Sequence, residues 1–244
     1  MEVDLGHSSG KNHHLISYSN ALELLFGLHK FVTLNDETIT LENSLGRVLR
    51  GEVKALIDNP PADISSMDGY AINSFDDKLN GILRVVDVSA AGTPARAQVS
   101  PGSAVRIFTG AKLPQGSNSV IVQEEVTLIK KSEISINNPE KVSPNENVRR
   151  KGTDFIEGTT VKPGKIITPK EIMLFAAMGH EKLLVKQKPL ISIISIGNEL
   201  TKPGNLHKKN QIYSSNAYGI SSLLRKLSCE PVIFPIARDN LESI

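Results

Sequence analysis

The stretch "LISIISIGNEL" (Leu190–Leu200) is an apolar, β-branched run that stops abruptly at Gly197-Asn198-Glu199. It reads as a buried strand. Beyond it, "NAYGISSLLRKLSC" (Asn216–Cys229) reads as a helix and "PVIFPIA" (Pro231–Ala237) as another strand. Strand, helix and strand in this order form one βαβ unit, which predicts a parallel sheet. Ligands of open parallel sheets bind at the carboxyl ends of the strands. Here those ends are Gly197–Leu200 and Ala237–Asn240, which places Asn198 and Asp239 side by side or nearly so. Between them "QIYSSN" (Gln211–Asn216) leads into the helix, and Ser214, Ser215 and the free backbone N–H groups there make a phosphate site at a helix N-terminus. Ser and Asn also serve as helix caps, so Asn216 is open between the two roles.

Upstream, Thr168, Pro169 and Glu171 spell a capped helix start, and Gly179 ends that helix before the strand "LLV". The capping box by itself accounts for Glu171. Near the start, Asn20 and Glu23 form a capping box, and Ala21, Leu24, Leu25 and Leu28 repeat at helical spacing to about Phe31. "ETITLENSLGRVLRGEVKA" (Glu37–Ala55) reads as a strand, a short helix around Asn43–Leu49 and a second strand. From Ile82 to Ile136 the character changes: "ILRVVDV", "AVRIFTG", "SVIVQEEVTLI" and "SEISIN" are short strands between Gly, Pro and Ser turns. The following "NPEKVSPNENVRRKGTDFIEGTTVKPGKIITP" (Asn138–Pro169) is polar and turn-rich. The expected organisation is a multidomain α/β plus β chain. An N-terminal helix covers 17–30, an extended connector covers 31–60 and 146–167, a small β module is inserted at 61–145, and an incomplete α/β domain covers 168–244.

Bulk composition narrows the class. With 28 Lys and Arg against 26 Asp and Glu, the net charge of +2 leaves no electrostatic footprint for nucleic acid. Aromatic residues make up only 5% and Trp is absent, which argues against a base-stacking platform. No apolar run approaches a membrane span. The single cysteine, Cys229, excludes an internal disulfide and suits a reducing cytoplasm, with a buried structural thiol as its expected role. The first 14 residues are polar and patternless, without the apolar core of a signal peptide. The histidines (His7, His13, His14, His29, His180, His207) show no metal-ligand spacing.

Three further stretches concentrate polar residues at turns. "PPADISSMDGYAI" (Pro60–Ile72) sets Asp68-Gly69 behind a stiff Pro-Pro entry; Asp-Gly is a two-residue hairpin signal and Pro-Pro marks a linker. "RIFTGAKLPQGSNSVIVQEE" (Arg106–Glu125) puts Thr109-Gly110 at one strand end and Glu124-Glu125 at another, where a turn hydroxyl and a solvated end explain them equally well. "ENVRRKGTDF" (Glu146–Phe155) places Arg149, Arg150 and Lys151 before a Gly turn and Asp154 after it. The cations can grip an anion or simply wet a connector. Asp154 is well placed for Mg²⁺, which favours one or two carboxylates together with ligand phosphates.

Together, "PPADISSMDGYAI", "VRIFTGAKLPQGSNSVIVQEE", "ENVRRKGTDF", "TPKEIMLFAAMGHEKLLV", "ISIISIGNEL" and "QIYSSNAYGISSLLRKLSCE", in this order, make the chain resemble the molybdopterin molybdenumtransferase family, MoeA in bacteria and the E domain of gephyrin-type proteins. The resemblance runs from about residue 17 to the end. It implies insertion of molybdate into adenylylated molybdopterin with Mg²⁺-dependent release of AMP, in the cytoplasm. It also implies that the terminal α/β part is the start of a parallel-sheet molybdopterin-binding domain. The partner is a second copy of the chain, with the β module of one subunit facing the α/β domain of the other. Carried over by position, the polar site holds Asp68, Thr109, Asp154, Glu171, Asn198 and Asp239, with Arg149 and Arg150 assisting. Two departures stand out. Asn198 occupies the place of the family's usual Asp, which removes a charge from the metal position. The chain also stops at Ile244, before the family pattern is complete, so a catalytically incompetent fragment or a scaffold module is the alternative to an active enzyme. A third reading, a molybdopterin adenylyltransferase-like nucleotide binder, is opposed by the inserted β module.

Overall fold

The computed structural model describes residues 16–206 and 209–243, so the sequence readings on the first 14 residues and on His207 lie outside the described residues. In chain order the elements begin with α1 (Tyr18–Gly27), β1 (Asp36–Thr40), β2 (Val53–Lys54), β3 (Ile64–Ser65), β4 (Gly69–Ile72), β5 (Ile82–Ser89) and β6 (Ser103–Ile107). They continue with β7 (Ser119–Val122), β8 (Val126–Lys130), β9 (Glu133–Ile136), β10 (Val148–Arg149), β11 (Thr160–Val161), α2 (Pro169–Ala177) and β12 (Lys182–Lys186). The last are β13 (Leu190–Ile193), β14 (Leu200–Thr201), β15 (Ile212–Tyr213), α3 (Asn216–Lys226) and β16 (Glu230–Ile233). Two compact units result: Glu37–Val185, and the described residues up to Asp36 together with those from Lys186 onward.

Within the Glu37–Val185 unit, the chain runs out through β2 and β3 and returns through β10 and β11. Each outgoing strand pairs antiparallel with a returning one, β3 with β10 and β2 with β11. Beyond them lies a six-stranded mixed sheet of order β7-β4-β6-β5-β9-β8, in which only β5 and β6 are parallel. β4, β6 and β7 are buried on nearly consecutive residues because both their faces are covered, whereas β5 alternates between buried and exposed positions. Ile72, Leu83, Ala104, Ile121 and Ile134 form a core on one face, and Ala71, Val105, Ile107 and Val120 form a second core on the other. β7 and β8 lie at opposite ends of the strand order, yet only the 3₁₀ turn Gln123–Glu125 separates them in sequence. A turn that rises about 2 Å per residue spans only a few ångströms, so the sheet must curl until its edges nearly meet.

That geometry corrects the reading of "SVIVQEEVTLI" as one strand run and of Glu124-Glu125 as a strand end. The strand ends at Val122, and the chain restarts as β8 on the far edge. The run is continuous in β propensity, but its two halves serve different edges. The Asp-Gly hairpin is also absent: Gly69 opens β4, which pairs with β6 and β7, while β3 pairs with β10.

A third core gathers Leu49, Val53, Ala55, Ile167, Phe175, Met178, Leu183 and Val185 around α2. α2 has the expected capping box, with the Thr168 N–H donating to Glu171 Oε2 at 3.1 Å. The short helix expected around Asn43–Leu49 does not form. A 3₁₀ turn covers Leu41–Asn43, Gly46 turns the chain at φ 74°, and Val48 and Leu49 make isolated bridges to Ile166 and Val185. Tertiary pairing of these apolar residues outweighs a weak helical pattern.

In the other unit, α1 is capped by the Ser17 side chain, which accepts from the Asn20 N–H at 3.1 Å, so the cap lies three residues before the one expected. The helix ends at Gly27, and Leu28–Phe31 continue as a 3₁₀ turn. The βαβ reading holds. β13 and β16 are parallel with Leu190 opposite Glu230 and Ile193 opposite Ile233, and Ile196 bridges Ala237 beyond them. α3 packs back on the strands through the buried Ala217 and Ser221. Among the described residues no helix is long and apolar enough to cross a membrane.

Candidate functional site

Asp68 and Thr109, far apart in sequence, meet at the ends of β4 and β6. The Thr109 backbone N–H and hydroxyl both donate to Asp68 Oδ1 at 2.8 Å. The Asp68 carbonyl accepts from the Gln123 N–H at 3.1 Å, which ties the end of β7 to the same corner. Gly110 makes the turn after Thr109 at φ 78° and donates its N–H to the Ser65 carbonyl. The two Thr109 donors, helped by the nearby Arg106 charge, hold the Asp68 carboxyl below its ordinary range. Asp68 is thus an exposed, fixed and ionised carboxylate, and its Oδ2 accepts no hydrogen bond among the described residues. Glu124 and Glu125 sit in the adjoining 3₁₀ turn, where Gln123 donates to Glu124 at 3.0 Å.

The basic run on the returning chain is internally compensated. Arg149 donates to Asp154 at 2.6 Å, Arg150 pairs with Asp63 and Asn145, and Lys151 reaches Asp58 at 2.9 Å. Burial pushes Asp63 up, but the Lys151 N–H and the Arg150 guanidinium outweigh it and leave the carboxyl lowered. Asp58 is lowered chiefly by the Glu157 N–H and then by Lys151. Arg149 and Arg150 therefore pin the connector, and any anion they met would compete with these carboxylates. Glu171 is likewise committed: the Thr168 hydroxyl first, then Lys165 and the Thr168 N–H, draw its carboxyl down to about 2. The structure brings Asp68 to Thr109 and Arg149 to Asp154, and it keeps Glu171 within its own helix cap.

The second unit contains a cleft of about 770 Å³. Its polar lining includes Ser195, Thr201, Lys202, Gln211, Ser214, Tyr218 and Arg238, set against Leu200, Ala217, Ile233 and Phe234. Ser214 Oγ donates to Ser195 Oγ at 3.1 Å across the cleft floor. Ser215 precedes α3 without a side-chain cap bond, and Asn216 is the first helical residue; neither lines the cleft. Asn198 and Asp239 do meet, as the strand order predicts. The Asp239 N–H lies 3.5 Å from Asn198 Oδ1, and Arg238 reaches the Asn198 carbonyl at 3.5 Å. Sequence reading passes over Lys202, Gln211, Tyr218 and Arg238. The short β14–β15 pair that delivers the first two has no periodicity to detect, although Arg238 stands beside Asp239 at a strand end that the sequence itself marks.

Among the described residues no group of three or more His, Cys, Asp or Glu is arranged to hold a metal. One carboxylate with one carboxamide, as at Asp239 and Asn198, suits a Mg²⁺ that arrives with substrate phosphates and does not make a resident site.

Comparison with known proteins places this geometry in a family. The sequence pattern of the MoeA N-terminal region (domain I and II) matches residues 16–179. The chain is 34% identical over 205 residues to a molybdopterin molybdenumtransferase of Haemophilus influenzae, covering 84% of this chain and 50% of that one. It is also 34% identical over 212 residues to the Staphylococcus aureus protein of the same name, with the same coverage. Thus the chain spans about half the length of these relatives. Among solved structures, a molybdopterin biosynthesis MoeA protein from Pyrococcus horikoshii superposes with a TM-score of 0.79 at 30% identity, covering 94% of this chain and 62% of that one. A second crystal structure of that protein gives 0.77 at 32% identity, covering 94% and 59%. Fold, residue pattern and identity agree: this chain belongs to the MoeA family through its N-terminal region.

Proposed function

We propose that the chain acts in molybdenum cofactor biosynthesis, in the step that inserts molybdate into adenylylated molybdopterin and releases AMP. The observation that carries the reading is the cleft at the carboxyl ends of β13 and β16, where Lys202 and Arg238 stand among hydroxyl and amide donors. Both substrates are anionic. A cleft with two cations, four hydroxyls and side-chain amides binds phosphate and pterin-type polar edges, while Ile233 and Phe234 supply apolar contact. Lys202 and Arg238 would neutralise phosphate charge, and Ser195, Ser214 and Gln211 would orient the bound group. In a dimer whose β module faces the partner copy's α/β domain, Asp68, already ionised and aimed by Thr109, would supply the partner copy's substrate with a fixed negative group for a proton or for a cation. Mg²⁺ held at Asp239 and Asn198 would offset the charge that builds on the departing phosphate. The functional form is a cytoplasmic homodimer in this reading.

Titration with adenylylated molybdopterin, molybdate and Mg²⁺, following AMP, tests it. Lys202→Met and Arg238→Met should each weaken substrate binding by about tenfold, the loss of one charge-assisted contact. Unchanged binding in both variants would refute the cleft as the substrate site. Binding without AMP release would favour a non-catalytic binding module.

A further inference from the structure

Arg106 lies on β6 directly opposite Tyr70 of β4, and its side chain bonds to residues beside Asp68. Its guanidinium lies over two rings, 4.9 Å from the centroid of Tyr70 and 4.9 Å from that of Phe108. Nη1 donates to the Gly69 carbonyl at 3.1 Å, and Nη2 donates to Gln123 Oε1 at 2.6 Å. These contacts join the three segments that fix Asp68. Gly69 follows Asp68 in the chain. Phe108 precedes Thr109, the donor to Asp68 Oδ1. Gln123 gives its own N–H to the Asp68 carbonyl. A planar fork with aromatic faces on it has few rotamers left to lose, so it holds its partners at fixed spacing where an ammonium would not.

We infer that Arg106 is a positioning residue that clamps the ends of β4, β6 and β7 and so sets the geometry of the Asp68–Thr109 pair. The clamp rests, for its relevance to the reaction, on the reading that Asp68 serves the transfer; as a mechanical statement it stands on this corner alone. Arg106 is the charge that acts on the Asp68 carboxyl, and Glu124 is tied to the clamp through the Gln123 side chain. Arg106 is the weakest of the causes that lower the Asp68 carboxyl, behind both Thr109 donors. Its main effect is therefore through placement of Thr109, and charge alone should not replace it.

The test uses the whole chain with Arg106→Lys and Arg106→Leu, and Asp68→Asn as the assignment control. Readouts are hydrogen exchange of the Thr109 amide, the NMR titration midpoint of the Asp68 carboxyl, and kcat and KM for AMP release. Both Arg106 variants should speed Thr109 exchange by about tenfold, the signature of a corner that opens locally. The Asp68 midpoint should rise in both, and kcat should fall while KM stays within about twofold. Where the Leu change loosens the sheet as a whole, the Lys variant decides, because it keeps the stem and the charge. Full rescue of exchange and midpoint by Lys would overturn the clamp and leave only a charge effect. Unchanged Thr109 exchange in both would also overturn it. If the variants loosen Thr109 while Asp68→Asn leaves AMP release intact, the clamp stands and the catalytic role of Asp68 falls.

Discussion

A methyl group on Gly69 would meet the Ile121 carbonyl oxygen at 1.9 Å and its carbon at 2.8 Å, because β4 and β7 pair closely there with Gly69 opposite Val122. Non-bonded carbon and oxygen settle nearer ~3.5 Å, so Gly69→Ala must drive the two strands apart by roughly 1.5 Å. The neighbouring ladder bonds, and the Gln123 N–H bond to the Asp68 carbonyl, cannot survive that shift at normal length. Overpacking costs about 1–3 kcal/mol and an orphaned buried backbone group about 1–3 more, so a loss of roughly 2–6 kcal/mol is expected. At about 2–4 °C per kcal/mol for a unit of this size, that is a fall in Tm of roughly 4–24 °C. Gly219 provides the opposite sign: it is exposed within α3, with nothing within 4 Å of where a Cβ would sit, so Gly219→Ala should gain stability. A gain of about 0.5–1 kcal/mol follows from the lower chain entropy of Ala in a helix. Urea unfolding followed by circular dichroism measures both. Gly69→Ala as stable as the parent protein would refute the close approach of β4 and β7, and with it the rigid seat of Asp68.

The Glu171 cap should make stability depend on acid. Its folded carboxyl titrates at about 2 against an ordinary 4.5, so its contribution is whole above the ordinary value and is lost as pH falls through about 2. Glu171→Gln should therefore be less stable than the parent at neutral pH and converge with it in acid. A gap that does not change with pH would show that the carboxylate form is not what the cap uses. At the strand ends, Asn198→Asp should tighten Mg²⁺ by about tenfold by calorimetry, since two facing carboxylates favour a cation between them. Equal affinity would remove Asn198 from the metal position.

Sequence is informative where local signals and tertiary demands coincide. Thr168-Pro169-x-Glu171 states its own cap, and the apolar runs at Leu190 and Pro231, separated by one helix, leave the parallel pairing little freedom. The Asp68–Thr109 pair is legible as two polar turns, though nothing local shows that they meet. Other features depend on contacts remote in the chain. Val122 and Val126 look alike in sequence, yet the curl assigns them to opposite edges. Arg149 and Arg150 look like free cations until Asp154 and Asp63 are seen against them. Arg106 sits in an apolar strand as an ordinary surface charge, and only the facing rings and Gln123 show its reach.

The curl of the six-stranded sheet bears on how this protein behaves in a crowded solution. An open strand edge invites pairing with another chain. Here the outer edge of β7 is occupied by its own polypeptide. Val120 donates to the Glu146 carbonyl at 3.0 Å, Asn145 donates to the Asn118 carbonyl at 3.0 Å, and the Asn147 side chain donates to the Val120 carbonyl at 2.9 Å. Asn145 and Asn147 adopt φ of 66° and 54°, left-handed turns that bend this segment along the edge without forming a regular strand. The opposite edge, β8, ends in Lys130-Lys131, charges that discourage stacking against a like sheet. The segment from Ser143 to Asn147 thus covers a strand edge that another chain could otherwise pair with, which gives polar sequence at that place a purpose even where it touches no substrate.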